Sequence, residues 1–168
     1  PDTQQIHSYF NLIFRDWSGD SSEIQEYSKY IQSLLTDETK TILILGSGAG
    51  GLSYELSKSN SKINFVSFEH NPYLAFLSQS IMSGEKVELS EYTYYPKNID
   101  LTSKAHSFSV EPLEDNHQNI LGSFPHLPFK DESFDLIIAP WFLDIIDSNL
   151  EVSIAHLTRF LSEGGTLS

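Results

Sequence analysis

The run Thr41-Ile42-Leu43-Ile44-Leu45 leads directly into Gly46-Ser47-Gly48-Ala49-Gly50-Gly51, and this junction constrains the fold more than any other part of the sequence. An unbroken apolar run suits a central parallel strand covered on both faces. Residues without side chains then let the backbone pass close to a ligand and turn into a helix, read over Leu52 to Lys58. A second strand, Ile63 to Phe68, ends at Glu69. That carboxylate falls about 20 residues after the loop, where nucleotide-cofactor folds place the acid that holds ribose hydroxyls. The pairing predicts a nucleoside cofactor.

The chain has 168 residues, enough for one domain with a real core. No apolar run approaches the length of a membrane span, and the first residues do not read as a signal peptide. There is no cysteine, so disulfides, thiolate metal sites and cysteine nucleophiles are excluded. A cytoplasmic location fits these features. The net charge is −13, with 10 Lys and Arg against 23 Asp and Glu. A nucleic-acid binder needs a basic face to displace counterions from phosphates, so nucleic acid is not the expected partner. An acidic surface would favour a cationic or amine substrate, although it also serves solubility alone.

Strands alternate with helices along the rest of the chain. Residues 1–40 are expected to form a helical segment. Within it Ile6, Tyr9, Phe10, Ile13, Phe14 and Trp17 make an apolar stripe, and Asp20 with Glu23 caps a second helix to Leu35. Residues 41–168 are expected to form the core. Pro72 opens a helix ending near Ser83-Gly84. Residues 84–104, with Tyr92, Tyr94, Tyr95 and Pro96, read as a long connection or insertion. His106 to Val110 reads as a third strand ending at Glu111, and Phe134 to Pro140 as the fourth. Ser148 with Glu151 caps a helix to about Leu161, and Thr166-Leu167-Ser168 begins a fifth strand. The expected fold is therefore α/β: a Rossmann-like three-layer sandwich with a mainly parallel sheet and an N-terminal helical segment. A sheet that stops at its fifth strand suggests a fragment with an exposed edge.

Gly46-x-Gly48-x-x-Gly51 satisfies the dinucleotide fingerprint, but the same glycines read Gly46-x-Gly48-x-Gly50, the form found in methyltransferases. Leu127-Pro128-Phe129-Lys130-Asp131-Glu132-Ser133-Phe134-Asp135-Leu136-Ile137 resembles the segment entering strand four of class I S-adenosylmethionine-dependent methyltransferases. Leu161-Ser162-Glu163-Gly164-Gly165-Thr166-Leu167 resembles their helix-to-strand-five turn. Outside this core, Arg15-Asp16-Trp17-Ser18 is similar to the Arg-Asp-Trp-Ser signature of the carnosine N-methyltransferase-like family. Tyr95-Pro96 resembles that family's Tyr-Pro element, and Trp141-Phe142-Leu143-Asp144 its Phe-Phe-Ile-Asp segment. The family lacks the acid usual in strand one, and Ile44 stands there in this chain.

The resemblance implies S-adenosyl-L-methionine as cofactor and a small or peptide-like substrate methylated on nitrogen. By it, Arg15 pairs with the cofactor's carboxylate through its guanidinium fork. Gly46, Gly48 and Gly50 lie under the methionine and ribose, Glu69 accepts from the ribose hydroxyls, Glu111 sits by the adenine, and Pro140 lies beside the sulfonium. Asp144 faces the substrate amine or imidazole as the catalytic residue, orienting an N–H or stabilising the positive charge that grows on nitrogen. Leu12 replaces a glutamine that the family places three residues before its arginine, and Glu111-Pro112 stands where the family usually has Asp followed by Phe. The family's substrate-binding histidine and tyrosine lie beyond strand five. The six histidines show no His-x-x-x-His pair, so no metal is expected. No nucleophile elbow is present, which argues against hydrolysis. A non-catalytic cofactor-binding module and an NAD-dependent oxidoreductase are the other readings; the latter lacks a recognisable hydride-transfer acid or base.

Overall fold

A computed structural model of the chain describes residues 3–18, 22–92, 97–98, 103–143 and 149–168. Two helices come first, α1 (Thr3–Trp17) and α2 (Ser22–Leu34). Strand β1 (Thr41–Leu45), helix α3 (Gly51–Ser59), strand β2 (Asn64–Glu69) and helix α4 (Pro72–Met82) follow. Then come β3 (Val87–Tyr92), β4 (Ser103–Phe108), β5 (His117–Leu121), β6 (Phe134–Ile138), α5 (Leu150–Thr158) and β7 (Leu161–Leu167). Five strands form one parallel sheet in the order β5-β2-β1-β6-β7. The chain builds outward from β1 on one side, then returns to build on the other. The resulting switch point opens a crevice beyond the carboxyl ends of the central strands.

Alternation along β1 assigns its two faces. Ile42 and Ile44 pack with Ile24 and Ile31 of α2 and Leu52 and Leu56 of α3. Leu43 and Leu45 pack on the other face with Phe134, Ile137, Leu157 and Phe160. Both faces of β1 are thus covered, as its unbroken apolar run requires. Ile44, at the place of the missing strand-one acid, is fully buried in the first of these clusters. Asp135 fastens the sheet at the opposite end, accepting from the backbone N–H of Lys40 at 2.8 Å and of Thr41 at 2.9 Å. A third cluster joins Ile13 of α1 to Leu74 and Ile81 of α4 and to Phe108 of β4.

Three expectations need correction. The segment His106–Val110 is not the third strand of the sheet: Ser103–Phe108 pairs antiparallel with Val87–Tyr92 as a separate two-stranded arm. The expected connection over 84–104 is in part the other strand of that arm. The sheet's third strand is β5, whose sequence His-Gln-Asn-Ile-Leu carries little apolar signal because it is an edge strand. The last helix ends at Thr158 rather than near Leu161. Leu161 already pairs with Phe134, and the Glu163-Gly164-Gly165 stretch is a register shift within β7 rather than a helix terminator, with Gly164 at φ +81°. The Asp20 and Ser148 caps lie outside the described residues; Asn149 caps α5, accepting from Glu151 N–H at 2.9 Å.

Between α3, β2 and β5, Ser53, Ser67 and His117 form a hydrogen-bonded chain with links of 2.7 and 2.9 Å. Burial holds the His117 imidazole neutral, with its pKa lowered from 6.5 to about 4. Between those two values the unfolded chain binds a proton that the folded chain does not. Stability therefore falls as pH drops from 6.5 towards 4, by at most about 3 kcal/mol from this group. Urea midpoints measured across that window should decline less steeply in His117→Gln than in the unaltered chain; parallel declines would remove His117 from the account.

Candidate functional site

The crevice is a cavity of about 910 Å³ at the carboxyl ends of β1 and β2. Its floor is the turn between β1 and α3. The backbone N–H of Gly46 and of Ser47 both donate to the carbonyl of Phe68, at 2.9 and 3.3 Å, which holds the turn against the end of β2. Gly46 and Gly48 have φ of +62° and +59°, a region that side chains disfavour, and both line the cavity. A Cβ on Gly46 would stand 2.9 Å from Phe142, so the ring and the turn touch because no side chain intervenes. Gly50 has a different reason to be glycine. It is turned away from the cavity wall onto α4, where a Cβ would collide with Ser78 and lie 2.6 Å from Met82.

Glu69 ends β2 with only 5% of its surface exposed. Its Oε2 accepts from Gly48 N–H at 2.8 Å, and its Oε1 accepts from His70 and Asn71 N–H at 3.0 and 2.8 Å. The acid and the glycine turn are therefore one hydrogen-bonded unit. Oε1 also lies 3.1 Å from Nδ1 of His70, so the acceptor capacity left for a further partner is on Oε2, which takes one backbone donor. Asn71 then caps α4 by accepting from Tyr73 N–H at 2.9 Å.

Helix α1 makes one wall. Tyr9, Leu12 and Arg15, spaced three apart, face the cavity. The Arg15 guanidinium lies 4.5 Å from the ring centre of Trp141. Trp141 follows β6 and holds φ +51°, a conformation costly for a bulky residue and one that clusters at functional sites. Asp16 and Trp17 turn the other way, onto the glycine turn. Asp16 accepts from Gly51 N–H at 3.1 Å, and Trp17 Nε1 donates to the Ala49 carbonyl at 2.8 Å. Burial raises the Asp16 pKa, opposed by the adjacent Arg15 and by the N–H groups of Gly51 and Gly50.

The far end of the cavity is aromatic. Ser123, Phe124 and Pro125 follow the end of β5, and Phe124 packs edge-on against Phe142 and His156 with centroids 5.7 and 5.6 Å apart. His156 of α5 donates through Nε2 to the Pro125 carbonyl at 2.8 Å. Among the described residues no group of three His, Cys, Asp or Glu side chains converges as a metal site.

Of the residues singled out from sequence, Arg15, Gly46, Gly48 and Glu69 come together around this cavity. Gly50 supports the turn from behind. Pro140 stands just past β6, next to the cavity-lining Trp141 but not in the wall itself. Glu111 does not reach the cavity; it lines a small separate cleft with Lys58 and Pro112, and its carbonyl accepts from the Tyr54 hydroxyl at 3.1 Å. The reason is the strand correction above: the sheet strand that ends at the cavity is β5, so Ser123 and Phe124 occupy the place expected for Glu111. Asp144, Tyr94, Tyr95 and Pro96 lie outside the described residues, as does the side chain of Tyr92. Sequence reading passed over Asp16, Ser123, Phe124, Trp141 and His156 as site residues. Asp16 and Trp141 sit inside motifs already noticed; Ser123, Phe124 and His156 become visible only once β5 and the packing of α5 are known.

Five parallel strands in this order, with a glycine turn and an acid at the switch point, make a Rossmann-like nucleotide-binding fold, and the solved structures it matches include S-adenosylmethionine-dependent methyltransferases. A candidate methyltransferase of this type from Methanococcus maripaludis superposes with a TM-score of 0.68 at 17% identity, over 95% of this chain and 60% of that one. The plantazolicin methyltransferase BpumL, solved with S-adenosylhomocysteine and a desmethyl plantazolicin analogue, gives 0.61 at 15% identity, over 99% and 52%. Coclaurine N-methyltransferase, solved with N-methylheliamine and S-adenosylhomocysteine, gives 0.58 at 15%, over 88% and 35%. The chain belongs to the carnosine N-methyltransferase family, whose family model matches residues 1–168. No curated protein matches the sequence. The chain spans 49–60% of the length of the first three solved structures it matches. No helix among the described residues is long and apolar enough to cross a membrane.

Proposed function

We propose that this chain binds S-adenosyl-L-methionine in the cavity and serves methylation of a nitrogen on a small or peptide-like acceptor. The observation that carries the reading is the single unit formed by Gly46, Gly48 and Glu69, which opens on a cavity that Arg15 also lines. Gly48, at positive φ and with no atom nearer than 3.9 Å to where a Cβ would stand, offers open backbone to a nucleoside, while Gly46 is covered by the Phe142 ring. Glu69 keeps acceptor capacity for ribose hydroxyls. Arg15 provides the cation for the cofactor's carboxylate, and Leu12 gives that end of the wall an apolar patch. Ser123 and Phe124 take the adenine edge in place of Glu111. Gly50 shapes the turn, and Pro140 contributes backbone near the reacting end. The family and the two ligand-bound methyltransferases support this choice of cofactor.

When bound, the cofactor supplies an electrophilic methyl on a sulfonium, transferred by in-line displacement. The chain's own part is to orient and to exclude water. Phe68, Phe124, Phe142 and Trp141 give the cavity apolar walls. Asp144 is proposed to hold the acceptor N–H and to favour the positive charge that develops on nitrogen. An acceptor that is an amine or imidazole also suits a chain with a net charge of −13.

With carnosine as the probe acceptor, Asp144→Ala should lower turnover by about 100-fold while affinity for S-adenosylhomocysteine stays within about twofold. Loss of cofactor affinity instead would overturn the role given to Asp144. Cofactor binding without methyl transfer in the unaltered chain would favour a binding module.

A further inference from the structure

Asp16 has a side chain only 1% exposed, yet it belongs to a helix whose neighbouring residue reaches into the cavity. Its two oxygens divide their work. Oδ1 takes the Arg15 Nε–H at 2.9 Å, and Oδ2 takes the Gly51 N–H at 3.1 Å, the first residue of α3. Such charge-assisted bonds are the strong ones in a buried setting. The α1 backbone lies directly on the same glycine: a Cβ on Gly51 would come within 2.8 Å of the Asp16 carbonyl oxygen. Trp17 adds its bond to Ala49, and its ring lies 5.5 Å from that of Tyr54. Three consecutive residues in the last turn of α1 thus fix a guanidinium, a helix start and a loop carbonyl.

The Arg15 side chain is held on two sides, by Asp16 at Nε and by the Trp141 ring against its plane. This leaves the terminal nitrogens to face the cavity. Arg15 Nη2 lies 3.9 Å from the point where a Cβ on Gly48 would stand. A guanidinium held through Nε offers its terminal N–H groups in a fixed direction, which is what a carboxylate ligand needs.

We propose that Asp16 is a positioning residue that aims Arg15 and fastens α1 to the glycine turn, so that docking of α1 and binding of a ligand carboxylate are one coupled event. The proposal rests on the reading in which Arg15 meets the carboxylate of the methionyl end. Coupling is reciprocal: a ligand that engages Arg15 tightens the last turn of α1, and a loosened α1 weakens that ligand.

Two ligands separate the possibilities. S-adenosylhomocysteine carries the carboxylate, whereas methylthioadenosine has the same nucleoside and thioether without it. In Asp16→Asn the amide oxygen still accepts from Gly51 N–H, while the amide nitrogen opposes Arg15 Nε–H. Affinity for S-adenosylhomocysteine should fall by about 10-fold or more, and that for methylthioadenosine by less than about twofold. Arg15→Gln should show the same selective loss, and the double variant should lose little more than Arg15→Gln alone. Equal weakening of both ligands by Asp16→Asn would make Asp16 merely structural and overturn the proposal. If Arg15→Gln fails to discriminate the ligands, the carboxylate reading itself falls. If Arg15→Gln discriminates and Asp16→Asn does not, the reading stands and the positioning role fails. In the unaltered chain, amide exchange over residues 13–17 should slow more with S-adenosylhomocysteine than with methylthioadenosine, and equal slowing would also overturn the coupling.

Discussion

Glu69→Ala is expected to weaken binding of S-adenosylhomocysteine by at least about 100-fold, because two kinds of interaction disappear together. Bonds to a charged acceptor contribute about 1.5–3 kcal/mol each. The bonds proposed to the ribose hydroxyls go directly. The three bonds to the backbone of Gly48, His70 and Asn71 go as well, so the floor of the cavity loses the group that gathers it. Glu69→Gln should fall between the two: its amide oxygen can accept from one side, but its NH2 faces N–H donors on the other. Calorimetric titration of the three proteins gives the order directly. Near-equal affinities would mean that Glu69 only closes the end of β2.

Gly50→Ala is expected to act on stability first. At φ +94° an L side chain is strained by about 1–2 kcal/mol. The new Cβ also collides with Ser78 and approaches Met82 Cε to 2.6 Å, and overpacking of this kind costs about 1–3 kcal/mol. A total of about 2–5 kcal/mol corresponds to roughly 4–20 °C in Tm for a chain of this size. Thermal unfolding without ligand measures it, and adding Ser78→Ala should recover part of the loss. An unchanged Tm accompanied by lost cofactor binding would show that Gly50 touches the ligand and is not a packing residue.

Local signals in the sequence were readable where one stretch of chain makes both the element and the site. The apolar run at 42–45 needs two covered faces, and the glycines after it need a turn at positive φ, so β1, the loop and α3 follow from consecutive residues. Glu69 follows from its distance to that loop. The Arg15-Asp16-Trp17 signature pointed to the N-terminal helix, and Arg15 lines the cavity wall. Pairing was not readable. The stretch around His106–Phe108 alternates like a sheet strand whether its partner is β2 or another arm of the chain, and only the tertiary structure shows that the partner is Val87–Tyr92. β5 is polar because it is an edge, so its pattern did not declare it, and the site residue expected after the third strand was placed at Glu111 in consequence. Contacts across long separations were equally hidden: Phe142 over Gly46, Asp16 under Gly51 and Trp141 beside Arg15 depend on packing that no local window contains.

The central claim is that the unit of Gly46, Gly48 and Glu69 is a cradle for the S-adenosyl group. Calorimetric titration of the chain with S-adenosylhomocysteine, run against NAD, tests it most directly. Saturable binding of S-adenosylhomocysteine at one site per chain, with no heat from NAD, is the predicted result. Binding of NAD without S-adenosylhomocysteine would contradict it.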